Sequence, residues 1–111
     1  PVRGIRNYES GIMDELVELY TSAFREFSKI LKPDGRVVFI FPAFKSGGAL
    51  TKTSDRVLPE IKKLGFQPMQ LLPQNSPFSI LHSPFSILYS RPDQKVLREI
   101  FVFELKTNHK L

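Results

Sequence analysis

Apolar residues recur at intervals of three and four over residues 10–31, which predicts a long amphipathic helix with one wide apolar face. Ser10 is a suitable N-cap. The sequence Lys32-Pro33-Asp34-Gly35 predicts the end of the helix, because proline disfavours helical geometry in the residue before it and Asp-Gly favours a turn. The apolar positions are Ile12, Met13, Leu16, Leu19, Tyr20, Ala23, Phe24, Phe27, Ile30 and Leu31.

The next segment, Arg36 to Pro42, is a continuous apolar run. A run without alternation predicts a strand that is buried on both faces of a parallel sheet. Residues 43–53 contain Gly47-Gly48 and predict a flexible loop. Although glycines beside Lys45 suggest a phosphate-binding loop, the required spacing G-x-x-x-x-G-K-[ST] is missing.

A second helix is predicted over Asp55 to Leu64, with Thr53 or Ser54 as its N-cap and Gly65 just beyond its end. Pro59 inside this range weakens the prediction. The apolar residues expected on its buried side are Val57, Leu58, Ile61 and Leu64.

The remaining pattern is that of extended chain. We expect an extended segment over 66–72, a strand within 78–90, a turn at 91–94 and a strand over 96–105. The last strand contains four consecutive apolar residues at 100–103, which suggests burial on both faces. Two strands joined by so short a turn must be antiparallel. The predicted order is therefore helix, strand, helix, strand, strand, ending in an antiparallel hairpin.

A tandem repeat lies within the last third. Residues 76–82, SPFSILH, are followed directly by residues 83–89, SPFSILY, with six of seven positions identical. Pro77 and Pro84 lack an N–H donor and belong at strand starts or edges. Either copy suits the hairpin strand, so we expect one copy in the main sheet and the other as an extension, a longer connection or a swapped arm. A duplication without chemistry of its own explains the repeat best.

The composition limits the kinds of functional site and partner that the chain can have. The chain has 111 residues, enough for one domain, and no cysteine, which excludes disulfides and thiolate sites. Its two histidines, His82 and His109, do not have metal-site spacing. The net charge of +5 favours polyanions, although the basic residues are scattered along the chain. No segment resembles a signal peptide or a membrane span, so we expect a cytoplasmic location.

The order of elements resembles the second half of a class I S-adenosylmethionine-dependent methyltransferase domain, a Rossmann-like α/β fold. The resemblance covers roughly residues 10–105 and is carried by KPDGRVVFIFP at 32–42, by LGF at 64–66 and above all by ILYSRPDQKVLREI at 87–100. That last stretch is similar to the C-terminal hairpin of nucleic-acid methylases related to tRNA guanine-N2 methyltransferases and predicted DNA modification methylases. The family has six parallel strands and one antiparallel strand inserted near the edge.

The motifs that bind the cofactor and the target amine in that family have no counterpart in this sequence. Missing are the glycine-rich loop, the acidic residue after the second strand and the N/D/E-P-P-Y motif; Arg6-Asn7-Tyr8-Glu9 lacks the proline pair. We therefore carry over no catalytic, cofactor-binding or metal-binding residue. Residues 1–111 are expected to form a single partial methyltransferase domain, a fragment that is inactive alone and does not itself bind SAM.

Three functional hypotheses follow. In the first, a half sheet leaves the edge of residues 36–42 uncovered, so a homo-oligomer through that edge or through the duplicated strand completes the fold by dimerisation or strand swapping. In the second, the chain is a small basic nucleic-acid-binding module that stacks bases on Tyr8, Phe44 or Tyr89. The third, a free-standing enzyme, finds no nucleophile–base pair at recognisable spacing among Ser46, Ser54 and Asp55.

Overall fold

The part of the chain that the structure describes has a mixed α/β fold with two helices and a five-stranded sheet. The computed structural model describes residues 2–72 and 84–106, and the side chains of 11–45, 47–72 and 84–106 within them. The elements are α1 (Val2–Ile30), β1 (Arg36–Ser46), β2 (Ala49–Lys52), α2 (Thr53–Lys63), β3 (Phe66–Pro68), β4 (Ile87–Tyr89) and β5 (Val96–Leu105).

Helix α1 is longer than the periodic pattern predicts. It begins at Val2, so Ser10 lies inside the helix and is not its N-cap. Its end is as expected: Ile30 is the last helical residue, and Asp34 adopts a positive φ of 66° in the turn that follows. The prediction started the helix at the candidate N-cap Ser10, although Val2, Ile5 and Tyr8 precede Ile12 at intervals of three, three and four residues.

The predicted loop at 43–53 is instead a β-hairpin. Strand β1 continues to Ser46 and pairs with β2 in an antiparallel register from Ala43↔Lys52 to Ser46↔Ala49. Gly47 and Gly48 have φ values of 57° and 82°. Two consecutive positive φ angles are the requirement of a tight type I′ hairpin turn, which glycine meets without steric cost.

Helix α2 confirms the second predicted helix but not its cap. It begins at Thr53, the N-cap position is Lys52, and no side-chain hydrogen bond caps it. Gly65 follows the helix with a φ of 102°, as expected of a residue that ends a helix in left-handed geometry. Val57 and Ile61 are fully buried, whereas Leu58 and Leu64 are half-buried.

Neighbouring strands in the described sheet pair antiparallel, which corrects the parallel sheet expected from the sequence. The order is β2-β1-β5-β3, and β4 pairs with β5 as well. Strand β5 is central, with registers that include Phe39↔Phe101 to β1 and Gln67↔Glu104 to β3. Because β1 and β3 both run antiparallel to β5, they run parallel to each other on either side of it.

The second copy of the repeat supplies the strand beside β5. Ile87, Leu88 and Tyr89 pair with Ile100, Glu99 and Arg98, which confirms the antiparallel hairpin. The turn is marked by Asp93, whose φ is 70°. The first copy, residues 76–82, lies outside the described residues, as does His82.

Both helices pack on one face of the sheet, around Phe24. The ring of Phe24 lies 4.9 Å from Phe39, 5.1 Å from Phe66 and 5.2 Å from Phe103, measured between ring centroids. The buried cluster comprises Phe24, Phe41, Val57, Ile61, Phe66, Phe101, Phe103 and Leu105.

The opposite face of the sheet is open, so the expected burial of β1 on both faces is wrong. Val38 is 66% exposed and Ile40 is 48% exposed, while the alternate positions point into the core. Strand β5 has the same asymmetry, since Phe101 and Phe103 are buried and Ile100 and Val102 are half-buried. Among the described residues, no helix is both long enough and apolar enough to cross a membrane.

We expect Phe24→Ala to lower the free energy of unfolding by about 3–5 kcal/mol, because it removes a fully buried ring and leaves a cavity among rings that cannot collapse completely. Urea unfolding followed by circular dichroism measures this. Val96→Ala, at an exposed position, is the control and should change stability by less than about 0.5 kcal/mol.

The placement of β3 can be tested with an engineered disulfide, since the chain has no cysteine of its own. Gln67 and Glu104 are directly paired, so the double variant Gln67→Cys/Glu104→Cys should oxidise to an intramolecular disulfide. In the matched control Gln67→Cys/Val102→Cys the second cysteine is two residues further along the same face. Equal oxidation of the two variants would contradict the register.

Burial raises the pKa of the Tyr20 hydroxyl above its ordinary value of 10.0. The hydroxyl therefore ionises more readily in the unfolded chain than in the folded chain. Its ionisation costs no stability well below pH 10, and stability is lost as the pH rises towards the pKa of the folded state. We expect Tyr20→Phe to lose less stability than the unmodified chain between pH 9 and pH 11, measured by urea unfolding. An identical loss in both would contradict this assignment.

Candidate functional site

The most unusual side chain of the described core is a carboxylate. Glu99 lies in the middle of β5, on the face that carries Leu97 and Phe101, and is only 3% exposed. Removing a charged carboxylate from water is costly unless hydrogen bonds or an opposite charge compensate it.

Two serine hydroxyls and one lysine compensate Glu99. Ser54 donates from Oγ to Oε1 at 2.5 Å, and Ser86 donates from Oγ to Oε2 at 2.8 Å. The ammonium of Lys52 lies 3.6 Å from Oε2, which is an ion pair without close hydrogen-bond geometry. Each carboxylate oxygen thus has one hydroxyl donor and keeps further acceptor capacity.

This cluster joins four elements. Lys52 ends β2, Ser54 lies in the first turn of α2, Ser86 directly precedes β4, and Glu99 belongs to β5. The carboxylate lies beside the beginning of α2, where the helix dipole is positive and favours a negative charge. Glu99 therefore attaches the hairpin and the second repeat copy to the central strand.

A cavity of about 530 Å³ opens beside the cluster. Its charged lining residues are Lys52, Asp55, Lys62 and Glu99, and its apolar lining includes Phe85 and Phe101. Such a surface can bind a flat group that donates hydrogen bonds to the carboxylate and carries negative charge towards the lysines.

Ser54, one of the residues considered for an enzyme, donates a hydrogen bond to the Glu99 carboxylate, which accepts a second one from Ser86. Both hydroxyls therefore compensate the buried carboxylate. Asp55 lies at the cavity wall but is exposed. The side chain of Ser46 is not among those described.

Two of the residues considered for base stacking lie in the described part, Phe44 on β1 and Tyr89 on β4, and both of these strands pair with β5. Phe44 is half-buried, whereas Tyr89 is exposed and its hydroxyl accepts a hydrogen bond from Arg91 Nε at 3.1 Å. The side chain of Tyr8 and the residue His109 lie outside the described part. Within that part, no group of three or more histidine, aspartate or glutamate residues has the arrangement of a metal site.

Sequence reasoning missed Glu99, although a signal was present. Leu97, Phe101, Phe103 and Leu105 share one face of an alternating strand, and Glu99 is the polar residue in that series. A charge at a core position contradicts the local pattern, and such contradictions concentrate at functional or strained sites.

Comparison with protein-family models, with curated proteins and with solved structures finds no match to this chain.

We expect Glu99→Ala to destabilise the chain by about 2–4 kcal/mol, because it leaves two buried hydroxyls without their acceptor and opens a cavity. Ser54→Ala and Ser86→Ala should each cost about 1.5–3 kcal/mol, the usual value for a hydrogen bond to a charged group. Urea unfolding measures all three. If the Ser86 and Glu99 substitutions together cost the sum of their single effects, the two side chains do not interact as described.

Proposed function

We propose that this chain is the C-terminal half of a class I SAM-dependent methyltransferase domain that acts on nucleic acid. By itself it neither binds SAM nor transfers a methyl group. The observation that supports this proposal most strongly is the arrangement of three strands: β1 and β3 run parallel, and the antiparallel β5 lies between them. One antiparallel strand inserted near the edge of parallel strands is the arrangement that the resemblance implies.

The positions of the helices support the same proposal. Helix α2 follows β2 and leads into β3, so β2 and α2 together form the connection from β1 to β3, and α2 packs with α1 on one face of the sheet. The other face exposes Val38 and Ile40. A doubly wound sheet carries helices on both faces, so an open apolar face is expected where the second layer would come from the other half of the domain.

The position of the cavity beside Glu99 also fits this proposal. It lies at the carboxyl end of β3, with Pro68 in its wall and Glu99 opposite Phe41 of β1. In α/β sheets, ligands bind beyond the carboxyl ends of the parallel strands. This half would therefore contribute a wall on the substrate side, while the cofactor-binding motifs belong to the other half.

Titration calorimetry with SAM tests the cofactor part of the proposal. We expect no stoichiometric heat, because the sequence has neither the glycine-rich loop nor the acidic residue that hold the cofactor in the family. A one-to-one binding isotherm would overturn it, and so would transfer of labelled methyl groups from SAM to RNA or DNA by this chain alone.

Single-stranded RNA serves as the second ligand in the same experiment. The methyltransferase-half proposal predicts weak binding at most, because the basic residues are scattered. Tight binding that falls steeply with salt would instead favour the small basic nucleic-acid-binding module.

A further inference from the structure

The cavity beside Glu99 has one polar side that is built from buried groups. Lys52, Ser54 and Glu99 all belong to its lining. Glu99 is 3% exposed and Ser54 is 1% exposed. Ser86 donates to Glu99 but is not a lining residue, so it holds the carboxylate from outside the cavity. Hydrogen bonds within the protein therefore fix the polar side before a ligand binds.

Glu99 keeps an acceptor position for a ligand. Its Oε1 accepts from Ser54 Oγ at 2.5 Å, and its Oε2 accepts from Ser86 Oγ at 2.8 Å. The Lys52 ammonium also lies on the Oε2 side, at 3.6 Å. An ionised carboxylate has about four acceptor positions. Oε1, with one donor among the described residues, can therefore accept a second hydrogen bond.

Lys52 supplies donors beside this acceptor. Its Nζ is too far from Oε2 for a hydrogen bond, although the two charges attract each other. The Lys52 side chain is 32% exposed, and an ammonium carries three N–H donors. A donor and an acceptor thus lie next to each other on the same side of the cavity.

The charges of the lining favour a neutral ligand. Two lysines and two carboxylates line the cavity, so their formal charges cancel: Lys52, Asp55, Lys62 and Glu99. A ligand ammonium that donates to Glu99 would lie beside the Lys52 ammonium. A ligand carboxylate that accepts from Lys52 would lie beside the Glu99 carboxylate. Because like charges repel strongly at such distances in a partly buried site, the donor and the acceptor of the ligand should both be uncharged.

The remaining lining is largely apolar and suits a flat ring. Leu58, Pro68, Phe85 and Phe101 belong to it. Cavities of about 300–1,000 Å³ with apolar walls and a few polar groups are typical binding sites for small molecules, and this one measures about 530 Å³. An aromatic ring can lie against these side chains while one of its substituents reaches Lys52 and Glu99.

We propose that this cavity binds a small aromatic carboxamide, whose amide N–H donates to Glu99 Oε1 and whose carbonyl oxygen accepts from Lys52 Nζ. A carboxamide is neutral and carries its donor and its acceptor on neighbouring atoms. It therefore matches the polar side of the cavity without adding a charge. The inference goes beyond the methyltransferase proposal and does not rest on it, since the SAM titration tests that proposal separately.

Three probes with the same ring test the ligand class. At neutral pH benzamide is uncharged, benzoate is negative and benzylamine is positive. Titration of the nitrogen-15-labelled chain, followed by backbone amide chemical shifts, gives the three dissociation constants. Benzamide should bind at least about tenfold more tightly than either ion, because each ion loses one hydrogen bond to a charged group. Equal binding of the three probes, tighter binding of an ion, or no binding of benzamide would overturn the proposal.

The same spectra show where benzamide binds. The largest shift changes should occur at the amides of Lys52, Ser54 and Phe101, which line the cavity. Leu19, an apolar residue of α1 that is 60% exposed, is the control for adsorption to apolar surface and should not shift. The largest changes at Leu19, or at the exposed Val38 of the open sheet face, would overturn the assignment of the ligand to this cavity.

Lys52→Met removes the ammonium and keeps an aliphatic side chain. Benzamide should then bind about tenfold more weakly, and benzylamine should become the tighter ligand, because Glu99 no longer has a neighbouring cation. Lys63→Met, at an exposed lysine of α2 outside the cavity lining, is the matched control and should keep the original order of affinities. An unchanged order in Lys52→Met would overturn the proposed contact. If that variant does not fold, the three-probe comparison on the unmodified chain decides.

Discussion

The central position of β5 determines where β1, β3 and β4 lie. It is bordered by β1 on one side and by β3 and β4 on the other, so a single strand provides the register for the entire sheet apart from the β1–β2 hairpin. Its alternating side chains also define the two faces: Phe101, Phe103 and Leu105 join the buried cluster, and the residues between them face the open side. Neither helix could pack as it does without this alternation.

Glu99 is the exception in the buried series of β5, because its side chain is a carboxylate. A carboxylate in the buried series would be strongly destabilising alone, and its compensation comes from Lys52, Ser54 and Ser86, which belong to other parts of the chain. The hairpin, the beginning of α2 and the second repeat copy are therefore held to β5 by one polar cluster. This arrangement gives the second repeat copy a specific role, since Ser86, the second serine of SPFSILY, donates a hydrogen bond to Glu99.

One face of the sheet and one edge of β1 are exposed in the described part of the molecule. The helices cover one face of the sheet, while the other face and the edge of β1 expose apolar side chains and backbone groups. Exposed strand edges and apolar faces promote association. The proposed methyltransferase origin accounts for this incomplete layering, because the second helix layer of such a domain would come from its other half.

The sequence by itself determined the existence of both helices, of the strands at 36–42 and 96–105, and of the final antiparallel hairpin. These elements depend on local periodicity and on turn residues such as Gly65, which act within a few positions of the chain. The tight turn at Gly47-Gly48 was also encoded locally, although it was interpreted as part of a loop because β2 is short and exposed.

Only the tertiary structure decided which faces are buried and which residues meet. A continuous apolar run such as Arg36 to Pro42 does not specify how many layers cover a strand, so the exposure of Val38 and Ile40 could not be foreseen. The antiparallel pairing of β1 with β5 joins residues about sixty positions apart, and the partners of Glu99 lie up to 47 positions away. Long-range contacts of this kind depend on the packing of the whole chain, because no local pattern specifies the partner of a strand or of a buried charge.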